Sequence, residues 1–281
     1  MKITSNNNQP ILKSLTSLSV FIALIAIATS TLSSAWADDP KARQIMEKVD
    51  ARDDGDNMTA DMQMILIDKN KSERIRLLRN FGKDKGRDKW KLMFFLEPAD
   101  VKDTAFLSYD FYDADKDDDQ WLYLPALRKT KRIASSDKSG AFMGSDFSYA
   151  DMTSEALDNY DYKLLKEMEV RGHKVWLIER VPRSERVVDQ YGYTKSVQFV
   201  RQDNFVVVRA VHWVKEGGRL KYMDMKKLKL IDGIWQPIEI HMTTTKTKRT
   251  LHKTIMRFQN VKFNQNLKES LFTVRQMEKG L

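Results

Sequence analysis

The feature that most constrains this chain is an alternation of apolar and polar residues that recurs between residues 58 and 258. In segment 58–66, methionine, alanine and leucine alternate with polar residues, which is typical of a strand with one buried face. Turn signals such as Gly217-Gly218 and Asp232-Gly233 separate similar segments. No long helical pattern lies between them, which argues against a parallel α/β sheet. The sequence therefore predicts a mainly β chain of about ten to twelve antiparallel strands.

One helix is predicted ahead of the first strand. Pro40 follows Asp38 and Asp39, and this order is typical of a capped helix start with proline in the first turn. Apolar residues then recur at helical spacing, with charged residues between them. We expect this helix to pack its apolar stripe against the sheet. The stripe consists of Ala42, Ile45, Met46 and Val49.

Residues 1–37 are predicted to be a cleavable secretory signal peptide. Lys2 and Lys13 precede the uncharged apolar run 15–28, and Ala35-Trp36-Ala37 is an A-x-A cleavage pattern. The alternative is an uncleaved membrane anchor. The apolar run is shorter than the roughly 20 residues that a spanning helix needs, so we favour cleavage and export.

Residues 38–281 are predicted to form a single soluble domain in the periplasm. The chain contains no cysteine, which excludes disulfides, thiolate metal sites and a lipid-modified N-terminal cysteine. Its net charge is +9, from 48 basic and 39 acidic residues. A modest positive balance favours transient contact with an anionic membrane. Nucleic acid is not an expected partner in this compartment.

Few residues indicate catalysis or metal binding. The four histidines do not pair at metal-ligand spacing, and His212 lies in a strand of the buried type, which favours a structural role. The acidic segment 113–119 resembles a calcium loop. However, Asp118 stands where that loop needs glycine, and Leu124 stands where it needs glutamate. Ser145 lacks the neighbours of a nucleophile elbow. We therefore expect no enzyme activity, no cofactor and no metal.

The methionines and one long irregular segment point towards binding instead. The chain has 14 methionines, and Met62 and Met64 share one face of the first predicted strand. Methionine suits surfaces that accept variable apolar ligands, although ordinary core filling is the alternative. Segment 125–158 begins with basic residues, continues with serine and glycine, and has few strand signals. Irregular segments of about 30 residues in compact domains usually form functional loops or lids.

The most specific motif of the chain is Gly144-Ser145-Asp146-Phe147-Ser148-Tyr149-Ala150-Asp151-Met152. Further characteristic segments are 94–101, 104–107, 121–125 with Arg128 and Arg132 after it, and 271–273 after Asn264. These segments resemble the LolA-like outer-membrane lipoprotein-sorting proteins, and the resemblance extends over residues 38–281. It is closer to the extended, largely uncharacterised branch than to the lipoprotein carrier itself. One departure is Asp103, where a glycine is expected.

The resemblance implies a single half-open antiparallel β-barrel, with a helix and a lid loop over an apolar cavity. It also implies a periplasmic carrier that moves an acylated cargo, a lipoprotein or a lipid, towards the outer membrane. The branch is associated with inner-membrane exporters of the resistance–nodulation–division type, which are candidate partners. The alternative is an accessory or adaptor protein of such a transporter, without its own cargo. A hydrolase with an unrecognised site is a third hypothesis.

Under this interpretation, particular residues take particular roles. The cavity wall is expected to contain Met62, Met64, Trp90, Leu92 and Phe94. The lid is expected to use Phe142, Gly144, Asp146, Phe147 and Tyr149, although a structural loop that closes the barrel edge is the alternative. Contact with a membrane or transporter is assigned to Arg128, Lys129 and Arg132, for which an exposed, solvated strand face is the alternative.

Overall fold

A computed structural model describes residues 38–281 of the chain. These residues form one antiparallel sheet of 13 strands, which confirms the mainly β prediction and slightly exceeds the predicted strand number. Among residues 38–281, no helix is long and apolar enough to cross a membrane. The predicted signal peptide, residues 1–37, lies outside the described part of the chain.

Three helices and 13 strands follow one another along the described residues. The helices are α1 (Pro40–Asp50), α2 (Glu185–Tyr191) and α3 (Val274–Lys279). The strands are β1 (Asn57–Asp68), β2 (Glu73–Lys85), β3 (Asp88–Glu97), β4 (Ala105–Asp110), β5 (Asp119–Leu124), β6 (Lys129–Arg132), β7 (Tyr160–Val170), β8 (His173–Pro182), β9 (Tyr193–Arg201), β10 (Val207–Val214), β11 (Arg219–Ile231), β12 (Ile234–Lys246) and β13 (Arg249–Phe263).

The sheet follows the chain except at one point, where β1 pairs with β13. Its strand order is β6-β5-β4-β3-β2-β1-β13-β12-β11-β10-β9-β8-β7. Short turns join most neighbours, and the two-residue turn Asp232-Gly233 has positive φ at both residues, as a tight hairpin requires. β6 and β7 are edge strands that do not pair with each other, so the barrel stays half open.

The strand register separates two faces of the sheet. Met62 and Met64 of β1 lie opposite Leu78 and Arg76 of β2, and Leu78 lies opposite Phe95 of β3. We call this side the inner face. Its apolar cluster excludes solvent and includes residues from both halves of the chain. The buried members are Met62, Met64, Leu66, Leu78, Phe95, Val101, Phe106, Leu122, Ile133, Phe142, Phe147, Met152, Met242 and Met256.

A second cluster covers the outer face of β3 to β5. The C-terminal segment brings Phe272 and Met277 against this face, where both are fully buried. Tyr109 donates a hydrogen bond from its hydroxyl to the carbonyl of Phe272, at 2.5 Å. The C-terminal helix therefore shields apolar residues that alternate with those of the inner face. These residues are Trp90, Leu92, Phe94, Ala105 and Leu107.

Helix α1 begins at Pro40, as the sequence predicts. The Asp39 carboxylate caps it by accepting hydrogen bonds from the backbone N–H groups of Lys41 and Ala42. The same carboxylate accepts a hydrogen bond from the N–H of Leu164 in β7, which ties the helix start to the sheet. The apolar stripe of α1 packs on the inner face of β7 to β9, beside Tyr162.

The segment between β5 and β7 is largely irregular, as expected. Apart from β6 it contains four 3-10 turns, at Ser135–Asp137, Phe142–Gly144, Ala150–Met152 and Leu157–Asn159, after a fifth that precedes β6 at Pro125–Leu127. The unexpected Asp103 has a φ of 63°, a left-handed conformation in which glycine is the common residue. The turn therefore keeps its shape with aspartate, and the Asp103 N–H donates to the carbonyl of Phe95.

Candidate ligand-binding interior

An aromatic loop fills the apolar part of the barrel. We call residues 138–154 the inner loop. The ring of Phe142 is fully buried, with its centroid 5.1 Å from that of Phe106 and 6.2 Å from that of Phe95. Tyr149 packs edge-on against Phe142 at 5.5 Å, and Phe147 joins the same cluster. The inner loop therefore occupies the space in front of the methionine-rich strands.

Asp146 fixes the centre of the inner loop to β12 and β13. Its two carboxylate oxygens accept hydrogen bonds from the hydroxyls of Thr244, at 2.5 Å, and Thr254, at 2.7 Å. The backbone N–H of Asp146 donates to the Thr254 hydroxyl, and Nδ1 of His252 lies 2.7 Å from the carboxylate. A buried carboxylate needs such partners, so Asp146 holds the loop in register with the sheet.

The adjacent turn depends on Arg76 and Gly144. The Arg76 guanidinium reaches from β2 and donates a hydrogen bond to the carbonyl of Met143, at 2.5 Å. Met143 and Gly144 have φ values of 50° and 73°, so the chain reverses through two left-handed residues. Glycine adopts this conformation without strain, which explains its presence at position 144.

Two lysine side chains hold the ends of the inner loop, one of them buried and one half-buried. The ammonium of Lys138 donates to the carbonyl of Asp118 at 2.6 Å, and Lys91 donates to the carbonyl of Met152 at 3.0 Å. Lys91 also pairs with Asp110, at 2.9 Å. Burial, together with the nearby Asp110 carboxylate, raises the pKa of Asp118 to about 6. The irregular backbone can lie inside the barrel because these side chains satisfy it.

Beneath α1, the inner loop leaves a cavity of about 260 Å³ against the inner face of β7 to β12. One side of this cavity is apolar and continues into the methionine-rich cluster. The other side carries charged and polar side chains from β8 to β10 and from residues 151–155. The apolar lining includes Met46, Val49, Phe147, Met223 and Met242, and the polar lining includes Asp151, Glu155, Arg180, Gln198 and His212.

A buried ion pair dominates the polar side of the cavity. The Arg180 guanidinium makes two hydrogen bonds to the Glu155 carboxylate, one of them 3.1 Å long, and lies over the ring of Tyr160 at 4.5 Å. Burial opposes the positive charge, but the Glu155 carboxylate outweighs it and keeps the pKa of Arg180 above its usual value. The Arg180 guanidinium therefore keeps its positive charge beside its carboxylate partner.

His212 lies beside this ion pair as a neutral ring. Its Nδ1 is 2.8 Å from the Ser196 hydroxyl, and its ring stacks on Tyr193 with centroids 4.6 Å apart. Burial, reinforced by the positive charge of Arg180, lowers the pKa of His212 to about 3. The imidazole therefore contributes no charge to the cavity at neutral pH.

The structure brings together only part of the predicted cavity wall. Met62 and Met64 lie in the inner cluster, in the same cluster as Phe142 and Phe147 of the predicted lid. The other three residues, Trp90, Leu92 and Phe94, lie on the opposite face of β3 and pack in the cluster of the C-terminal helix.

Because β3 is apolar on both faces, its own sequence does not tell which residues point inward. The inward residues are Met93 and Phe95, which the sequence analysis missed. The register of Leu78 with Phe95 identifies them, and that register requires the structure. The polar residues Arg180 and Gln198 were missed as well, because other polar residues accompany them in β8 and β9 and nothing local distinguishes them.

The predicted basic residues lie at one end of the sheet. Arg128 and Lys129 are exposed, next to Leu127, which is 62% exposed. Arg132 forms an ion pair with Asp119 on the outer face. Within residues 38–281, no group of three or more histidine, aspartate or glutamate side chains is placed to hold a metal ion.

Comparisons with known proteins agree with this architecture. A protein-family model described as "Uncharacterized protein" matches residues 87–279, more than half of the chain. A DUF1329 family protein from Desulfovibrio piger is 26% identical, with a TM-score of 0.78 over 86% of this chain and 99% of its own. No curated protein sequence matches the chain.

Two further solved structures are similar to most of the chain. A domain from Vibrio parahaemolyticus, named for outer-membrane lipoprotein sorting, is 31% identical, with a TM-score of 0.77 over 85% of this chain and 98% of its own. A LolA superfamily protein from Nitrosomonas europaea shares the fold at 19% identity, with a TM-score of 0.63 over 84% and 98% of the two chains. The chain therefore belongs to the family of this outer-membrane lipoprotein-sorting domain, and it shares its fold with the DUF1329 protein and the LolA superfamily protein.

Proposed function

We propose that this protein is a periplasmic carrier that binds the acyl chain of a lipid or lipoprotein inside the barrel and moves it towards the outer membrane. The observation that carries the proposal is the methionine-rich inner face covered by the inner loop. Met62, Met64 and Met242 are buried there, beneath the aromatic rings of the inner loop. Methionine adapts its shape, so this face suits acyl chains of varied length.

The cavity provides an entry point for such a ligand. Its volume of about 260 Å³ is slightly below the ~300–1,000 Å³ of typical small-ligand sites. A short part of an acyl chain fits under α1 as the protein stands. Binding of a longer chain requires Phe142 and Phe147 to leave the inner cluster. The inner loop is then a lid that closes over its own barrel when cargo is absent.

We also propose that one end of the sheet contacts an anionic membrane during delivery. The β1–β2, β5–β6 and β12–β13 turns lie at the same end, because consecutive strands are antiparallel. Exposed Leu127, Ile75 and Leu251 lie in or beside these turns. Among the described residues, several cations in or beside the turns form no ion pair. They are Lys69, Lys71, Arg74, Arg128, Lys129, Lys246, Lys248 and Arg249.

The second candidate function is an adaptor of an envelope transporter without its own cargo. One observation favours it, namely that the inner loop already fills the apolar interior. In an adaptor, Phe142 and Phe147 would be permanent core residues. A carrier and an adaptor therefore differ in whether an acyl chain replaces these rings.

Uptake of a fluorescent fatty acid tests the proposal. The protein is purified after export, its organic extract is analysed for lipid by mass spectrometry, and uptake is then measured. We expect co-purified lipid or saturable uptake in the wild type. Met223→Asp places a charge in the cavity wall and should abolish uptake. The matched control is Met168→Asp, because Met168 is 39% exposed on β7 and should tolerate the same change.

Thermal unfolding followed by circular dichroism verifies that both variants fold. A clean extract together with no uptake by the wild type would reject the carrier and leave the adaptor. Equal uptake by both variants would show that the ligand binds elsewhere.

A further inference from the structure

We propose that the cavity beneath α1 recognises a neutral hydrogen-bonding group, an amide or a hydroxyl, at the head of the acyl chain, through Arg180 and Gln198. This inference rests on the proposed carrier function and assigns the class of its ligand. The carrier proposal concerns only the apolar chain. The present one concerns the polar group next to that chain.

Two buried polar atoms in the cavity wall lack partners. Arg180 is 6% exposed and Gln198 is 8% exposed, and both line the cavity. Within residues 38–281, neither Nε of Arg180 nor Oε1 of Gln198 has a hydrogen-bond partner. Buried polar groups are almost always paired, because an unpaired one loses its hydrogen bonds to water without replacement. A ligand that supplies both bonds would remove that penalty.

The two side chains are placed to act on one group. Arg180 of β8 lies opposite Ser196 of β9, and Gln198 is two residues further along β9 on the same face. Residues in this diagonal relation are within reach of each other when their side chains are long. Arg180 offers a donor and Gln198 offers an acceptor. The complementary ligand group must therefore carry both an acceptor and a donor.

The charges around the cavity favour a neutral group over an anion. Glu155 pairs with Arg180, and Lys221 lies 3.9 Å from the Asp151 carboxylate. His212 is uncharged at neutral pH, for the reasons given above. A phosphate or carboxylate would have to compete with Glu155 for Arg180. An amide or a hydroxyl satisfies both unpaired atoms without disturbing that ion pair.

The apolar lining gives the attached chain a direction. Met46 and Val49 of α1 lie on one side of the cavity, and Met223 and Met242 lie on the sheet side. Met242 also belongs to the inner cluster, so the cavity is continuous with the methionine-rich face. A ligand whose head lies at Gln198 therefore extends its chain towards the inner loop.

Competition among four ligands of equal chain length tests the proposal. The affinity of each ligand is measured by its displacement of a bound fluorescent fatty acid from the wild-type protein. The four ligands are dodecanamide, dodecanol, methyl dodecanoate and dodecane. We expect the amide, the alcohol or both to bind about tenfold more tightly than the ester and the hydrocarbon, as one good hydrogen bond allows. Preference for the amide indicates an amide-linked acyl chain, and preference for the alcohol indicates a hydroxylated lipid.

Gln198→Met keeps the side-chain volume and removes the polar group. It should reduce the preference for the amide or alcohol to about threefold or less, with dodecane binding unchanged. Gln202→Met is the matched control, because Gln202 bonds to Glu167 outside the cavity and its replacement should keep the full preference.

The outcomes separate this inference from the carrier function. Equal binding of all four ligands, or a preference that survives Gln198→Met, would overturn the head-group assignment and leave the carrier intact. Ester binding as tight as the binding of both the amide and the alcohol would overturn it as well. If the wild-type protein takes up no fluorescent fatty acid, the carrier function fails and the assignment fails with it.

Discussion

Protonation of His212 should destabilise the fold as the pH falls below neutrality. The ring is buried beside Arg180 and Lys221, with only the Asp151 carboxylate favouring a positive charge. Its pKa is about 3 in the folded protein, compared with 6.5 for an unperturbed histidine. Between these two pKa values the unfolded chain binds a proton at His212 and the folded chain does not. The free energy of unfolding therefore decreases as the pH is lowered.

The size of the effect follows from these two pKa values. The contribution of the neutral His212 ring to the free energy of unfolding is fully present above pH 6.5. It is lost progressively as the pH falls towards 3. Integration of the linkage relation gives a loss of about 2 kcal/mol between pH 8 and pH 5. Asp118 titrates in the same range with the opposite sign, because its folded pKa is raised. The contribution of His212 must therefore be obtained as a difference between two proteins.

The assay is urea denaturation of the wild type and of His212→Gln at pH 8, 6.5 and 5, followed by tryptophan fluorescence. The variant loses the stacking on Tyr193, so it should be less stable at pH 8. This deficit should shrink by about 2 kcal/mol at pH 5, because only the wild type pays the protonation penalty. A constant deficit at all three pH values would refute the reasoning, and an NMR titration of His212 would then show a pKa near 6.5.

Three further predictions concern the helix cap, the inner loop and Asp118. Asp39→Ala should lower the free energy of unfolding by about 1 kcal/mol or more, and unchanged urea denaturation would contradict the capping role. Cysteines introduced together as Asp146→Cys and Thr254→Cys should block fatty-acid uptake when oxidised and restore it when reduced, whereas uptake by the oxidised protein would show that the loop does not move. Asp118→Asn should be more stable than the wild type by up to about 3 kcal/mol at pH 8, because a folded pKa of about 6 means that stability is lost as the pH rises through 6. This gain should vanish near pH 4, and a gain independent of pH in chemical denaturation would contradict it.

The sequence predicts the strands well because alternation reports local burial. It also places α1 correctly, because Asp39, Pro40 and the apolar spacing all act within one helix. Phe94 and Phe95 show where this reasoning ends. The two phenylalanines are neighbours, and both are buried, one against the C-terminal helix and one in the inner cluster. Only the pairing of β3 with β2, in which Leu78 lies opposite Phe95, decides which of them faces the interior.

The inner loop shows a second limit. Its irregular character is visible in the sequence, but irregular backbone usually runs over the protein surface. Here it lies inside the barrel, because long-range hydrogen bonds satisfy it, from Arg76 to Met143 and from Thr244 and Thr254 to Asp146. These partners are separated from the loop by about 70 to 110 residues. No local pattern could reveal them.

Under the proposed carrier function, displacing the inner loop should cost about as much free energy as binding an acyl chain supplies. Displacing the inner loop exposes Phe142 and Phe147, which costs about 3–6 kcal/mol, and breaks the hydrogen bonds of Asp146, which together contribute about 4 kcal/mol. Burial of about 14 methylene groups of an acyl chain contributes about 11 kcal/mol of favourable binding free energy. The two quantities agree within a few kcal/mol, so neither the closed loop nor the bound chain is strongly favoured. A modest additional interaction, such as two hydrogen bonds at Arg180 and Gln198, is then enough to decide which ligand is kept.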